Sequence, residues 1–303
     1  MERTVLSLKQ EILGPHHPET IAAMGNLADT LGLRGQWVEA ERMAREVLSV
    51  WLKIDGERHP DRIGAMNTLA FILAERDQWI EAEKIQQEVL ALSSDILGRD
   101  HPNAIKAMNS LAVTLGNRGR WVEAEAMLRQ VLTLRLKILG EQHSKTILTK
   151  SQLAITLYKC RRLDESVMMQ QEVLALRLKI RGERHPETLL ARHNLAATLY
   201  DCDQVDNAEQ MQRETLALGR EILGQQHPRT LDISYNLSLM VYRQNQLEEA
   251  ETLLQETMEL RIAVFGEDHT HTRVPQELLE DIVSKRSHNS IHQYRTHQFL
   301  VRE

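Results

Sequence analysis

Between residues 101 and 140 the apolar side chains fall on two stripes of helical period. Ile105, Met108, Leu111, Ala112 and Leu115 recur at three- and four-residue steps, the spacing that brings side chains onto one face of an α-helix. Pro102 suits the first turn of this helix, where its missing N–H has no intrahelical partner. Asn117 and Gly119 carry the signals that end it. A longer stripe then runs through Trp121, Val122, Ala124, Met127, Leu128, Val131, Leu132, Leu134 and Ile138. Gly140 closes it with a left-handed residue that costs glycine little. The segment predicts two antiparallel helices and no strand.

The pattern returns every 42 residues. His17, His59, His101, His143, His185, His227 and His269 keep that spacing, each with a glycine three positions earlier, and five of them precede proline. Leu27, Leu69, Leu111, Leu153, Leu195 and Leu237 hold one packing position, followed by alanine or, once, Ser238. In the second helix Ala40, Ala82, Ala124, Ser166, Ala208 and Ala250 stay small, which lets helix backbones approach. Trp37, Trp79 and Trp121 share a corner that Leu163, Val205 and Leu247 take in later units. A fixed period of this size predicts an all-α solenoid, in which each unit buries its apolar face against its neighbours. The expected division is a partial repeat over 1–14, consisting of a second helix only, six repeats over 15–268, and a closing helix with a poorly ordered tail over 269–303. His143-Ser144 and His269-Thr270 lack the proline, so their helix starts are expected to be less sharp. Gly14 aligned with Gly140 sets Met1 opposite Met127. The chain is therefore expected to begin inside a repeat, as a piece of a longer polypeptide or with that end covered by a partner.

The run L-A-x-x-L, a turn glycine, a large residue and a small one three positions on resembles the tetratricopeptide repeat. These units exceed its standard length of about 34 residues by roughly two helical turns, placed in the second helix. With its L-G-x-x-H-P junction, the longer form is similar to kinesin light chain repeats. It is more similar still to the arrays at the C-terminal end of fungal nucleotide-binding signal-transduction (NLR-like) receptors. The resemblance covers roughly residues 1–275. It implies a right-handed α-solenoid that serves as a protein- or peptide-binding scaffold, joined to further N-terminal domains of a larger signalling or receptor-like protein. The alternatives it carries are a kinesin-light-chain-like cargo adaptor and an autoregulatory array that holds an attached ATPase inactive.

A formal net charge of −6 and a pI near 6.1 argue against nucleic acid or an anionic membrane as partner, because either needs a clustered positive field. Cys160 and Cys202 are also one period apart; packed helices place such points about 10 Å from each other, beyond disulfide reach. With no apolar run of membrane-spanning length and no secretory signal over the first residues, a cytoplasmic protein is expected. Phosphate-loop, zincin, nucleophile-elbow and C-x-x-C motifs are missing from the sequence, so no enzyme, cofactor or metal is predicted. The periodic histidines stand too far apart to share an ion and are read as caps between repeats. His288, His292 and His297 belong to a solvated tail, with a weak metal site as the minor reading. Glu39, Glu81, Glu123 and Glu249 near second-helix starts suit the helix dipole.

The remaining candidate is the concave groove lined by first helices, where positions i, i+4 and i+7 share a face. Gly25 and Asp29 begin this series of variable positions. The candidate ligand-binding residues are Asn67, Phe71, Asn109, Tyr158, His193, Tyr200, Tyr235 and Tyr242. Asn67 and Asn109 suit a peptide backbone, since an amide both donates and accepts. Tyrosine suits a recognition surface through its apolar ring and polar tip; packing between adjacent first helices explains the same ladder equally well. Lys106, Lys159 and Arg243 are offset by Asp29, Glu75, Asp201 and Asp232. The basic excess that the resemblance associates with a kinesin adaptor's groove is thus absent. Trp51 is expected to be exposed on the convex face.

Overall fold

The computed structural model describes residues 2–54, 60–267, 272–273, 275–276 and 278–286. His59, His269, the histidine-bearing tail and Met1 lie outside the described residues. Thirteen helices and no strand occur among those described, and the chain divides into two compact units, 1–160 and 161–303.

Unit 1 opens with α1 (Glu2–Leu13). It continues with first helices α2 (Pro18–Leu33), α4 (Pro60–Glu75), α6 (Pro102–Asn117) and α8 (Ser144–Lys159), interleaved with second helices α3 (Trp37–Ile54), α5 (Trp79–Leu97) and α7 (Trp121–Leu139). Each helix packs on the next in sequence. Unit 2 holds second helices α9 (Leu163–Arg181), α11 (Val205–Ile222) and α13 (Leu247–Phe265), first helices α10 (Pro186–Asp201) and α12 (Pro228–Arg243), and a helical stretch over 278–286. Its helices also pack in sequential order. Ile282 is fully buried against the cluster around Leu237 and Leu254.

The junction histidines are N-caps. Nδ1 of His17, His101, His143, His185 and His227 accepts a hydrogen bond from the backbone N–H two residues on, at 3.1–3.2 Å, satisfying one of the orphan donors of a helix start. His143 does this without a following proline, so α8 begins as sharply as the others, contrary to the sequence expectation. The cap resides in the imidazole, and proline only adds to it. A threonine three residues after the histidine, which the apolar pattern does not reveal, secures the other side of several junctions. Thr188 Oγ1 donates to the Gly182 carbonyl at 2.8 Å and Thr272 Oγ1 to that of Gly266 at 2.9 Å. Gly140, Gly182, Gly224 and Gly266 sit at φ between 81° and 92°, where a Cβ is strained.

Packing at the turn corner exchanges volume between two positions. The hydrogen-only side of Gly116 faces Trp121; a Cβ there would stand 3.1 Å from the indole. Gly32 and Trp37 repeat the arrangement at 3.2 Å. In unit 2 the first member of the pair is Tyr200 or Tyr242 and the second is Val205 or Leu247. Tyr200 packs on the cluster holding Ala208, and Tyr242 on the one holding Ala250. One large ring fills each corner, supplied from either side of the turn.

Unit 2 also buries a neutral polar chain. His193 Nδ1 lies 3.3 Å from Gln212 Oε1, Gln212 Nε2 donates to the Ile233 carbonyl at 2.8 Å, and Asn236 Nδ2 donates to His193 Nε2 at 3.1 Å. An imidazole protonated on Nδ1 alone satisfies all three bonds. Burial pushes the His193 pKa down from 6.5, against weaker opposing effects from Gln212 and Asp232.

Two outcomes follow from this packing. Trp121→Leu opens a hole and Gly116→Tyr overfills the corner, each destabilising by about 1–3 kcal/mol. The double variant should lose less than the sum, with a coupling of about 0.5–3 kcal/mol in a denaturation cycle; strict additivity would refute volume exchange. For His193, the unfolded imidazole gains a proton as pH falls through about 6.5 while the folded one stays neutral, so stability is lost over that window and full above it. Hydrogen exchange in α10–α12 should accelerate on going from pH 7.5 to 5.5, and His193→Gln should flatten the dependence. An identical slope in both proteins would remove His193 as the cause.

Candidate functional site

On the first-helix face of unit 1, α2, α4 and α6 enclose a pocket of about 690 Å³. Its floor is apolar, built from Ile21, Val47, Trp51 and Ile63. The space exists because two mid-helix positions carry no side chain: nothing lies within 4 Å of where a Cβ would stand at Gly25 or Gly64. In the other repeats the Gly25 position holds Asn67, Asn109, Ser151, His193 or Tyr235. Glycine inside a helix costs about 1 kcal/mol relative to alanine, and here two such positions border one cavity. Trp51 is buried, 4% exposed, and forms part of this floor. The expectation of an exposed tryptophan on the convex face is therefore wrong. Second-helix residues at this position point inward between first helices, which a stripe count cannot show.

Polar groups ring the pocket. Asn67 Nδ2 donates to the Ile63 carbonyl at 2.9 Å, which fixes the amide and turns its oxygen away from the helix. Thr68 Oγ1 donates to Asp29 Oδ1 at 3.0 Å, tying α4 to α2. Lys106 and Ser110 extend the rim onto α6. Phe71 is half exposed and meets Trp37 edge-on, with ring centroids 6.3 Å apart. Apolar floor, fixed amide, carboxylate and ammonium together suit an amphipathic ligand segment.

The residues singled out from the sequence do not converge on one site. Asn67 and Phe71 share the pocket with Gly25 and Asp29. Asn109 is buried and accepts from Arg135 Nη1 at 3.2 Å. The Tyr158 ring lies 5.7 Å from Lys159 Nζ. In unit 2, Tyr200 donates to the Met240 carbonyl at 3.2 Å, and burial raises its pKa. Tyr235 stacks under the Arg261 guanidinium, 5.0 Å from its centroid. Tyr242 donates to the Asp281 carboxylate, accepts from Lys285, and lies beneath that lysine's ammonium at 4.7 Å. His193 belongs to the neutral chain already described. Sequence reading missed the pocket itself, whose signal was the pair of mid-helix glycines.

The glutamates at second-helix starts have partners beyond the dipole. Glu39, Glu81 and Glu249 accept from Arg3, Arg45 and Arg213 at 2.6–3.0 Å, each arginine lying on the preceding second helix. Exposed pairs of this kind contribute at most about 1 kcal/mol each, but they set register between helices. Among the described residues, no cluster of His, Cys, Asp or Glu has the make-up of a metal site, and no helix is long and apolar enough to cross a membrane.

Comparison with known proteins follows the same lines. A tetratricopeptide repeat model matches residues 3–60, 61–137, 145–201 and 190–263. No curated protein sequence gives a match. Among solved structures, the kinesin-light-chain nearly identical TPR-like repeats of Podosopora anserina are 24% identical, with a TM-score of 0.60, covering 68% of this chain and 97% of theirs. A Rap protein complexed with competence and sporulation factor is 11% identical with a TM-score of 0.59, covering 95% of this chain and 80% of its own. A signal transduction ATPase with numerous domains and a tetratricopeptide repeat sensor, from Pyrococcus horikoshii, is 15% identical with a TM-score of 0.64. That match covers 94% of this chain and 41% of the ATPase. With the family model spanning most of its helices, the chain belongs to the tetratricopeptide repeat family, as a helical protein-interaction scaffold of the kinesin-light-chain-like kind.

Proposed function

We propose that the chain binds a protein or peptide segment on the first-helix face of unit 1, with an apolar side chain of the ligand seated between α2 and α4. The observation that carries this reading is the pocket of about 690 Å³ beneath Asn67 and Phe71, open where Gly25 and Gly64 leave room. Phe71 supplies an exposed aromatic anchor, and the Asn67 oxygen accepts from the ligand backbone. The unit 2 tyrosines and His193 act chiefly by holding first helices in place, since their polar atoms already have partners within the unit. The reading needs no catalytic group. Peptide capture by a fold of this kind is supported by the Rap complex, and a sensor role within a larger signalling ATPase by the Pyrococcus horikoshii protein.

Filling the pocket without unfolding the helix tests the proposal. Peptides selected by display on the natural chain should bind Gly64→Leu and Phe71→Ala at least tenfold more weakly, the loss of about 2 kcal/mol typical of an interface anchor. Val122→Asp, on an exposed second-helix face (76% exposed), should leave binding unchanged. Peptides that tolerate both pocket variants and lose affinity with Val122→Asp would place the binding surface on the second helices instead.

A further inference from the structure

Arg135, on α7, carries its guanidinium into the space between α6 and α8 and is only 6% exposed. Nη1 donates to Asn109 Oδ1 at 3.2 Å, to the Lys145 carbonyl at 2.9 Å and to Thr149 Oγ1 at 2.6 Å. All three acceptors are neutral, and among the described residues no carboxylate pairs with this arginine. A buried cation without a counter-charge is costly. Burial lowers its pKa, with no charged neighbour offsetting the effect.

The chain shows elsewhere how the position is completed. Arg261 occupies the same place in its repeat and is equally buried, its side chain 4% exposed. There Asp232, 29 residues earlier and 47% exposed, reaches Arg261 Nη2 at 2.8 Å. A carboxylate at the surface of the first-helix face therefore gains access to a guanidinium buried in this way. The residue 29 positions before Arg135 is Lys106. It is exposed, has no ion pair among the described residues, and sits on the rim of the unit 1 pocket. Where one repeat supplies its own anion, this one presents a second cation. Lys145 is exposed nearby, and Lys150 is held by Glu141 at 2.8 Å.

We propose that Arg135 and Lys106 form a carboxylate-binding subsite, which an acidic group of the bound peptide fills in the manner of Asp232 on Arg261. The proposal rests on the first-helix face of unit 1 being the binding surface. It adds that the segment extending from the apolar pocket toward α8 carries a negative charge. Arginine is suited to this task because its planar donors match a carboxylate and it stays charged when desolvated.

Sodium acetate is the first probe, titrated against sodium chloride at constant ionic strength while the Arg135 Nε–H resonance is followed by ¹⁵N NMR. The expected result is a saturable shift with acetate and none with chloride. Lys106→Asp should rebuild the internal pair. It is expected to abolish the acetate shift and raise the thermal midpoint by about 2–4 °C. N-acetylated Gly-Glu-Gly amide and N-acetylated Gly-Gly-Gly acid then separate a side-chain carboxylate from a chain terminus, whichever shifts the resonance at lower concentration being the better fit. An unshifted Arg135 in the natural chain overturns the subsite, as does an acetate response that survives Lys106→Asp or a lowered midpoint in that variant. The titration of the natural chain decides the matter even if the variant does not fold. Selected peptides that need Phe71 but bind equally with glutamate or glutamine would remove the subsite and leave the pocket. An acetate response in a chain whose peptides ignore Phe71 and Gly64 would keep the subsite and remove the pocket.

Discussion

Everything in this fold depends on second helices being covered from both sides. Val47, Val89, Val131 and Val173 hold the same position in four second helices, and each is 0–3% exposed. Val5 holds it in α1, where only α2 packs alongside, and is 43% exposed. One missing neighbour thus leaves a side chain half in water, at a cost of about 25 cal/mol for each Å² of apolar surface. No helix pair completes its own core, so cohesion passes along the chain from unit to unit. The small residues Ala40, Ala82, Ala124, Ala208 and Ala250, all fully buried, keep neighbouring backbones close enough for that coverage.

Junction chemistry then fixes the angle at which each first helix starts. An imidazole acceptor, a glycine of positive φ and, in several repeats, a threonine bonded to the preceding helix's last carbonyls leave few polar groups unpaired. This is why the junctions tolerate loss of proline at His143. The turn corner is held less by polar bonding than by volume. A glycine with tryptophan and a tyrosine with an aliphatic residue give one ring per corner, and the choice changes which helix presents aromatic surface. The tyrosine ladder is in this respect a packing solution whose hydroxyls reach for groups on neighbouring helices.

Features expressed within one helix or one turn were legible in the sequence. The 42-residue period, the capping histidines, the closing glycines and the helix pairs belong to that class, because each is local chemistry repeated. Features set by which residues face each other across helices were not. Trp51 looks like an exposed second-helix residue until the inward direction of that position is known. Asn109 looks like a free amide until Arg135 is found beside it. The pocket was written as two absences, Gly25 and Gly64, and an absence on each of two helices gives no periodic signal. His193 and Tyr235 look like recognition residues because they sit at variable positions, yet they are variable partly because each repeat solves its internal contacts differently.

The residue at the Trp51 position links these observations. It is Trp51, Ser93, Arg135, Arg177, Gly219 and Arg261 along the chain. Where its surroundings are described, it fills the space between adjacent first helices from behind. The residue above it on the first helix must match it: Gly25 leaves the Trp51 indole as a pocket floor, Asn109 accepts from Arg135, and Tyr235 stacks beneath Arg261. The second helix, buried and remote from any ligand, therefore sets what each interhelical gap offers to the surface. Variation at one buried position lets a uniform scaffold present an apolar cavity in one gap and a cation in another, without altering the helix spacing that the valines and alanines require.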